Sequence, residues 1–319
     1  MRNLRGLVLC ALTLLPLPAL CAEDDLSRLM PADVDMVVYL NVKQLIGSAL
    51  LKQCALEDHK SLEPVKSALK DNKEALQLFA AMGLDPLRDI HSMYLGGQAN
   101  SAPKLLLVIR GAFDVDKVHK SAADYLKQHP DKGKQHTDGD LTVYEISESG
   151  VTGFAILLDR QTVIIGRSKD SVVTAARQKD NKLKKELQEL IHDQDAKQSL
   201  WFAGVATDDI RKQLALDPRT ASLAGKVTAV TGRVLVTDQI VLELRIQTTD
   251  GRSASMLRKF LNDIKTISAR ATENIDTFGP FLSKVVGTFK VSIDDSSVVL
   301  SATITAEMIK QALDEETKK

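Results

Sequence analysis

Cysteine is nearly absent from this chain: three in 319 residues, at Cys10, Cys21 and Cys54. Two of them fall in an N-terminal leader, so a processed chain keeps Cys54 alone and cannot close an intramolecular disulfide. A chain of this size then has to be held by its hydrophobic core. Aromatic residues are also scarce, 4% of the chain, which speaks against a lectin-like surface of stacked rings. Neither sign of charge is in excess. The 42 Lys and Arg balance 42 Asp and Glu, leaving no electrostatic footprint for nucleic acid or anionic lipid. Beyond the leader no apolar run approaches the roughly 20 residues that a spanning helix needs, so no transmembrane segment is expected in the mature chain.

Signature motifs are missing as well. There is no GxGxxG loop, Walker lysine, HExxH pair or nucleophile elbow, and Gly96-Gly97 follows a predicted strand without a helix behind it. The six histidines, His59, His91, His119, His129, His136 and His192, are scattered, whereas zinc needs three or four convergent ligands. Acid-rich stretches at Thr137-Asp138-Gly139-Asp140 and Ser292 to Ser297 lack the alternating ligands and distal Glu of a calcium loop, and read as turns. Ser67-Ala68-Leu69-Lys70 matches the Ser-x-x-Lys pattern of penicillin-binding enzymes, but no Lys-Thr-Gly follows. Cys54 lies in a helical context where a small buried apolar residue is expected. No catalytic, cofactor-binding or metal-binding residue is therefore assigned, and no cofactor is expected. Ser67, His91, His136 and Cys54 are the side chains on which a hidden catalytic centre would be tested.

What is present starts at the N-terminus. Arg2 and Arg5 precede an apolar run from Leu7 to Leu20, small residues follow at Cys21 and Ala22, and then come Glu23, Asp24 and Asp25. That order of charge, apolar stretch, small residues and acid is the layout of a cleaved secretory signal, residues 1–22. Pro16 and Pro18 break the run, which is too short to anchor the chain. Bulky Leu20 stands where a lipoprotein signal wants Gly or Ala before Cys21. A periplasmic or secreted protein is expected.

The remainder reads as alternating strands and helices. Met36 to Val42 is β-branched and aromatic and predicts a strand, with Asn41 capping a helix to about Gln53. A helix is expected from Ser61 to about Met82, strands at His91 to Gly96 and Pro103 to Gly111, and a helix from Asp114. Three short strands follow at Thr142 to Ser147, Gly153 to Asp159 and Thr162 to Arg167. A charged helix from Ser168 to about Asp193, rich in Lys and Glu, is read as a solvated connector. From Leu200 the pattern restarts: a strand to Ala206, a short helix capped by Thr207, and strands at Lys226 to Val236 and Ile240 to Thr248. Then come a helix from Arg252, a hairpin of Val285 to Ile293 with Ser297 to Ile304, and a closing helix from Ala306. Val37, Tyr39, Leu200 and Phe202 are expected to face the core, and Trp201 to pack there as well, with a ligand platform of Trp201 and Phe202 as the alternative.

The matched order of elements from Met36 and from Leu200 suggests two copies of one α+β unit. The unit expected is the ferredoxin-like split βαβ sandwich, helices packed on one face of a mainly antiparallel sheet, and two such units can lie as separate domains or join their sheets edge to edge, cases that sequence does not separate. The domains would be 23–195 and 196–319. Three segments, Met30 to Val42, Gly83-Leu84-Asp85-Pro86-Leu87-Arg88-Asp89-Ile90 and Gly111-Ala112-Phe113-Asp114, resemble a loose group of exported bacterial proteins with no assigned function. The resemblance implies structural motifs only and carries over no site residue. The function expected is that of an exported, non-enzymatic binding or scaffolding protein with a protein partner in the cell envelope. The alternatives are a hydrolase whose site is assembled from scattered residues, or an inhibitor or chaperone that adds a strand to a partner's sheet. Intact-mass measurement of the protein recovered from its native host is expected to show residues 1–22 missing; an unprocessed chain overturns the export reading.

Overall fold

β-branched and aromatic residues fit a pleated, half-buried surface, and here segments rich in them pair into one continuous layer. The computed structural model describes residues 26–57, 84–98, 101–148, 150–216, 218–272 and 279–316. Its strands form a single 12-stranded sheet in the order β11-β12-β10-β9-β8-β1-β2-β3-β7-β6-β5-β4, with every pairing antiparallel. In chain order these are β1 Met36–Asn41, β2 Ile90–Gln98, β3 Ser101–Gly111, β4 Gly133–Asp138, β5 Leu141–Glu148, β6 Val151–Leu157 and β7 Thr162–Gly166. The second half contributes β8 Leu200–Val205, β9 Val227–Val236, β10 Ile240–Thr248, β11 Lys290–Asp294 and β12 Ser297–Ile304.

The helices are α1 Val42–Gly47, α2 Ala49–Glu57, α3 Pro86–Asp89, α4 Val115–Gln128, α5 Lys169–Arg177 and α6 Lys185–His192. They continue with α7 Asp208–Leu216, α8 Gly251–Thr272, α9 Gly279–Thr288 and α10 Ala306–Glu316. No helix among the described residues is long and apolar enough to cross a membrane. The helix expected from Ser61 to Met82 lies outside the described residues.

The expectation of two tandem ferredoxin-like units is overturned. In a split βαβ unit the strands on either side of the helix run parallel, with a third strand between them. Here β1 and β2 are adjacent and antiparallel, and so are β8 and β9. The order of elements along the chain is the same for either topology, and long-range pairing decides between them. What the halves share is strand order. Outward from the β1–β8 pair, each places its first, second, third, last and next-to-last strands in that sequence, and the first half adds β5 and β4 beyond.

The register fixes which residues share a face. One face carries Val37 and Tyr39 of β1, Val108 of β3, Ile164 of β7, and Trp201 and Ala203 of β8, all buried in one cluster with Val172 and Val173 of α5 and Leu187 and Leu190 of α6. The N-terminal segment lies on this same face. Met30 covers Gly96, where a Cβ would collide with its sulfur, and Gln178 Nε2 donates to the Met30 carbonyl at 3.0 Å.

The opposite face packs Leu107, Ile109 and Val163 against Val118 of α4. In the second half it packs Ile246 and Val298 against Ala254 and Leu257 of α8. Leu200 and Phe202, expected in the core, are half-buried on this second face, with the Phe202 ring lying over Gly232. Trp201, between them, is the residue that turns inward.

Other departures have local causes. β4 (Gly-Lys-Gln-His-Thr-Asp) was not legible because it is a polar edge strand with no apolar alternation. The charged helix expected over 168–193 is two helices, and its second part is no solvated connector: Leu187 and Leu190 of α6 are buried on the sheet. Val285 to Thr288, expected as strand, ends α9.

Side chains of the first half grip the second across the β1–β8 seam. Asn41 Oδ1 accepts from Gln44 N–H at 2.9 Å, capping α1, while its Nδ2 donates to the Ala196 carbonyl at 2.9 Å. Gln44 Nε2 donates to the Val236 carbonyl at 2.7 Å, and Ser199 Oγ accepts from Val236 N–H at 2.7 Å and bonds Gln44 Oε1. Replacing Asn41 separates these roles. Asn41→Ser keeps a capping oxygen and loses the tie to Ala196, for a cost of about 1 kcal/mol. Asn41→Ala loses both, about 2–3 kcal/mol. Denaturant unfolding of the two variants checks the ordering.

Candidate functional site

The seam between the halves also holds a cluster of three aromatic side chains on one face. β1, β2 and β8 are neighbours, and their register places Tyr39 opposite both Tyr94 and Trp201. Tyr39 and Trp201 are stacked with centroids 5.3 Å apart, Tyr39 and Tyr94 are tilted at 4.7 Å, and Tyr94 meets Trp201 edge-on at 6.1 Å. Such geometries add to burial through the ring quadrupoles. Tyr39 Oη donates to the Ala196 carbonyl at 3.4 Å, so the segment between α6 and β8 is fastened to the trio.

Above Tyr94 and Trp201 lies a groove of about 580 Å³. One wall is α6, whose Lys185, Gln188, Glu189 and His192 fall at i, i+3, i+4 and i+7 and so share a stripe. The other rim is Ser27 and Asn181, where Asn181 Nδ2 donates to Ser27 Oγ at 2.9 Å. Asp193 and Gln194 close one end. Those two residues also border a second hollow of about 270 Å³, which runs over Thr231, Arg233, Glu243, Arg245 and Gln247. That stretch is the sheet face opposite α8, and its charges are paired: Arg233 with Glu243 and Arg245 with Asp294, both at 2.7 Å.

The polar groups of the groove are partly committed. Gln188 Nε2 donates to the Leu183 carbonyl at 2.6 Å and Gln194 Nε2 to the Leu190 carbonyl at 2.9 Å, which leaves the Oε1 of each of these lining residues without a donor among the described residues. Lys185 sits 3.5 Å from Glu189 in an exposed i, i+4 pair. The Trp201 indole N–H has no acceptor among the described residues, although the residue is only 3% exposed. No enclosed side-chain polar atom in the described residues lacks a partner. That N–H therefore reaches accessible space, and the groove is the space Trp201 lines.

Of the side chains singled out from sequence, those that are described fall on separate elements. Ser67 and His59 lie outside the described residues, and Cys54 belongs to α2. His91 is on β2, where burial, with Lys43 and Arg110 nearby, holds its imidazole below the ordinary value. His136 bonds Glu145 at 2.6 Å across the β4–β5 hairpin. His119 of α4 meets the Tyr144 hydroxyl at 2.5 Å, and burial raises that phenol above its usual range. His129 packs against Tyr125, and among the described histidines His192 alone lines the groove.

The acidic turn at Asp138 is occupied by cations from α5, Arg177 at 2.6 Å and Lys169 at 3.5 Å, and these hold its carboxyl below the usual range. Among the described residues no group of three His, Cys, Asp or Glu could hold a metal. Sequence reasoning missed the groove because α6 was read as solvated; the signal that could have found it is Trp201, the one tryptophan, opening an apolar strand.

Comparison with protein-family models, with curated proteins and with solved structures found no match. The site is thus read from its own geometry. For His91 the direction is definite. Its pKa is depressed in the fold, so the neutral form is favoured there, and as pH falls through the ordinary imidazole range the unfolded chain takes up the proton first. Stability is lost on acidification from about pH 7.5 toward 5. His91→Gln should reduce that loss, as measured by denaturant midpoints at the two pH values.

Proposed function

We propose that this chain is an exported, non-enzymatic binding or scaffolding protein of the cell envelope, periplasmic or secreted, acting on a protein partner. The observation that carries the reading is the groove at the seam. It offers hydrogen-bond donors and acceptors around a rigid aromatic floor, which is the composition of a recognition site. Its histidine, His192, has no hydrogen bond to a hydroxyl or carboxylate among the described residues, so it is not set up to activate a nucleophile. The leader's charge pattern supports export.

Strand addition is the less favoured route. The sheet's edges are β11 and β4, both short, with Lys290 and Asp294 on one and Lys134, His136 and Asp138 on the other, the charged blunting typical of edges that avoid pairing.

The experiment is a paired one. Purified mature protein is offered ester, peptide, glycoside and phosphate substrates, alongside Ser67→Ala, His91→Ala, His136→Ala and Cys54→Ala variants. In parallel it is used to capture a partner from its native envelope fraction, and the interaction is then rebuilt from the two purified proteins. The expected result is a reconstituted complex and no turnover above background. Turnover abolished by one of the four variants overturns the binding reading in favour of a hydrolase.

A further inference from the structure

We infer that the groove under α6 receives an extended polypeptide segment of the partner, with a main-chain carbonyl accepted by the Trp201 indole N–H. The inference rests on the binding reading above and names the chemistry of the partner. Trp201 is otherwise 97% enclosed at the groove floor, and its indole N–H is the polar atom it turns to the accessible space of the groove. The acceptor it lacks must come from a ligand or from water that the ligand replaces.

The remaining groups match a peptide backbone. The free Oε1 atoms of Gln188 and Gln194 are acceptors for N–H groups, while Trp201 is a donor for a carbonyl, so the groove presents both halves of what a main chain offers. Sugar is disfavoured by the floor itself. Trp201 and Tyr94 are 3% and 7% exposed, so neither offers a ring face for stacking, whereas a carbonyl needs only the indole edge.

Length and charge point the same way. The groove shares Asp193 and Gln194 with the second hollow over β9 and β10, and the site therefore continues around the C-terminal end of α6. An elongated, bent site suits a chain better than a compact molecule. The groove's own rim carries the carboxylates of Glu189 and Asp193 against the ammonium of Lys185, which is already beside Glu189, while Arg233 and Arg245 of the second hollow are taken up by Glu243 and Asp294. Asp193 has no cation within ion-pair distance among the described residues, so a basic side chain next to the bound carbonyl is the complement.

The chain's single tryptophan makes the test direct, because its emission reports Trp201 alone. The probe is a pool of unstructured dodecapeptides of random sequence, selected on the full mature protein, with N-acetylglucosamine oligomers as the second arm. Selected peptides are expected to be enriched in Lys or Arg, to shift the tryptophan emission saturably, and to lose about tenfold in affinity for Trp201→Phe, which keeps a ring and removes the N–H. Asp193→Asn, at an exposed position that leaves the fold intact, should weaken the basic peptides several-fold and spare neutral ones.

Peptides that bind both variants as well as the wild type overturn the assignment. So do a pool that yields no binder and an emission shift produced only by the oligosaccharides. Should the purified envelope partner still bind both variants undiminished, the binding reading stands and the groove is not its site.

Discussion

The antiparallel pairing of β1 with β8 is the constraint on which everything else rests. Five residue pairs, from Met36 opposite Gly204 to Leu40 opposite Leu200, turn two half-sheets into one. Because register in a sheet also assigns faces, that pairing sends Tyr39 and Trp201 to the same side and brings them into ring contact. It also positions Ala196 and Ser199 within reach of Asn41 and Gln44. A slip of one residue would turn Trp201 to the opposite face and dissolve the aromatic trio, the seam hydrogen bonds and the groove together.

Coverage of the sheet is unequal, and the inequality creates the surface available for recognition. Both halves carry helices on the face of Leu107 and Ile246, α4 over one and α8 over the other. On the other face α5 and α6 cover the first half as far as β8. Past the end of α6 the sheet presents Arg233, Glu243, Arg245 and Gln247 at a hollow. β10 shows the consequence in its own sequence, since Ile246 packs on α8 while Glu243 pairs with Arg233 of the adjacent β9 and Arg245 reaches past β12 to Asp294 of β11, so neither charge is buried bare. The groove sits where coverage stops, a place where a helix end and a sheet face leave polar groups partly satisfied.

Elements with strong local signals were legible from the chain alone. β1, β8, β9, β10 and β12 are runs of β-branched and apolar residues, and they fall within a residue or so of the expected limits. Asp114 caps α4 through Lys117 N–H at 3.1 Å, and Thr207 caps α7 through Ile210 N–H at 3.3 Å, each as the sequence suggests. The polar strand β4 was not legible, because an edge strand is held by backbone hydrogen bonds that leave no trace in side-chain pattern. α6 was misjudged for a related reason. Its Lys and Glu content hides Leu187 and Leu190, which are the residues that decide where it goes.

By itself the sequence determined where the strongly patterned strands and the capped helices begin, that three cysteines are too few for a disulfide framework, and that no recognised catalytic spacing is present, since these are properties of neighbouring residues or of simple counts. Only the tertiary structure decided that the strands make one sheet instead of two split βαβ sandwiches, that Trp201 and not Phe202 turns inward, and that α6 roofs a groove. The reason is the range of the interactions. Caps and periodicity act over a few residues, whereas the contact between Tyr39 and Trp201, or between Asn41 and Ala196, closes a loop of more than 150 residues and depends on which strand edges meet.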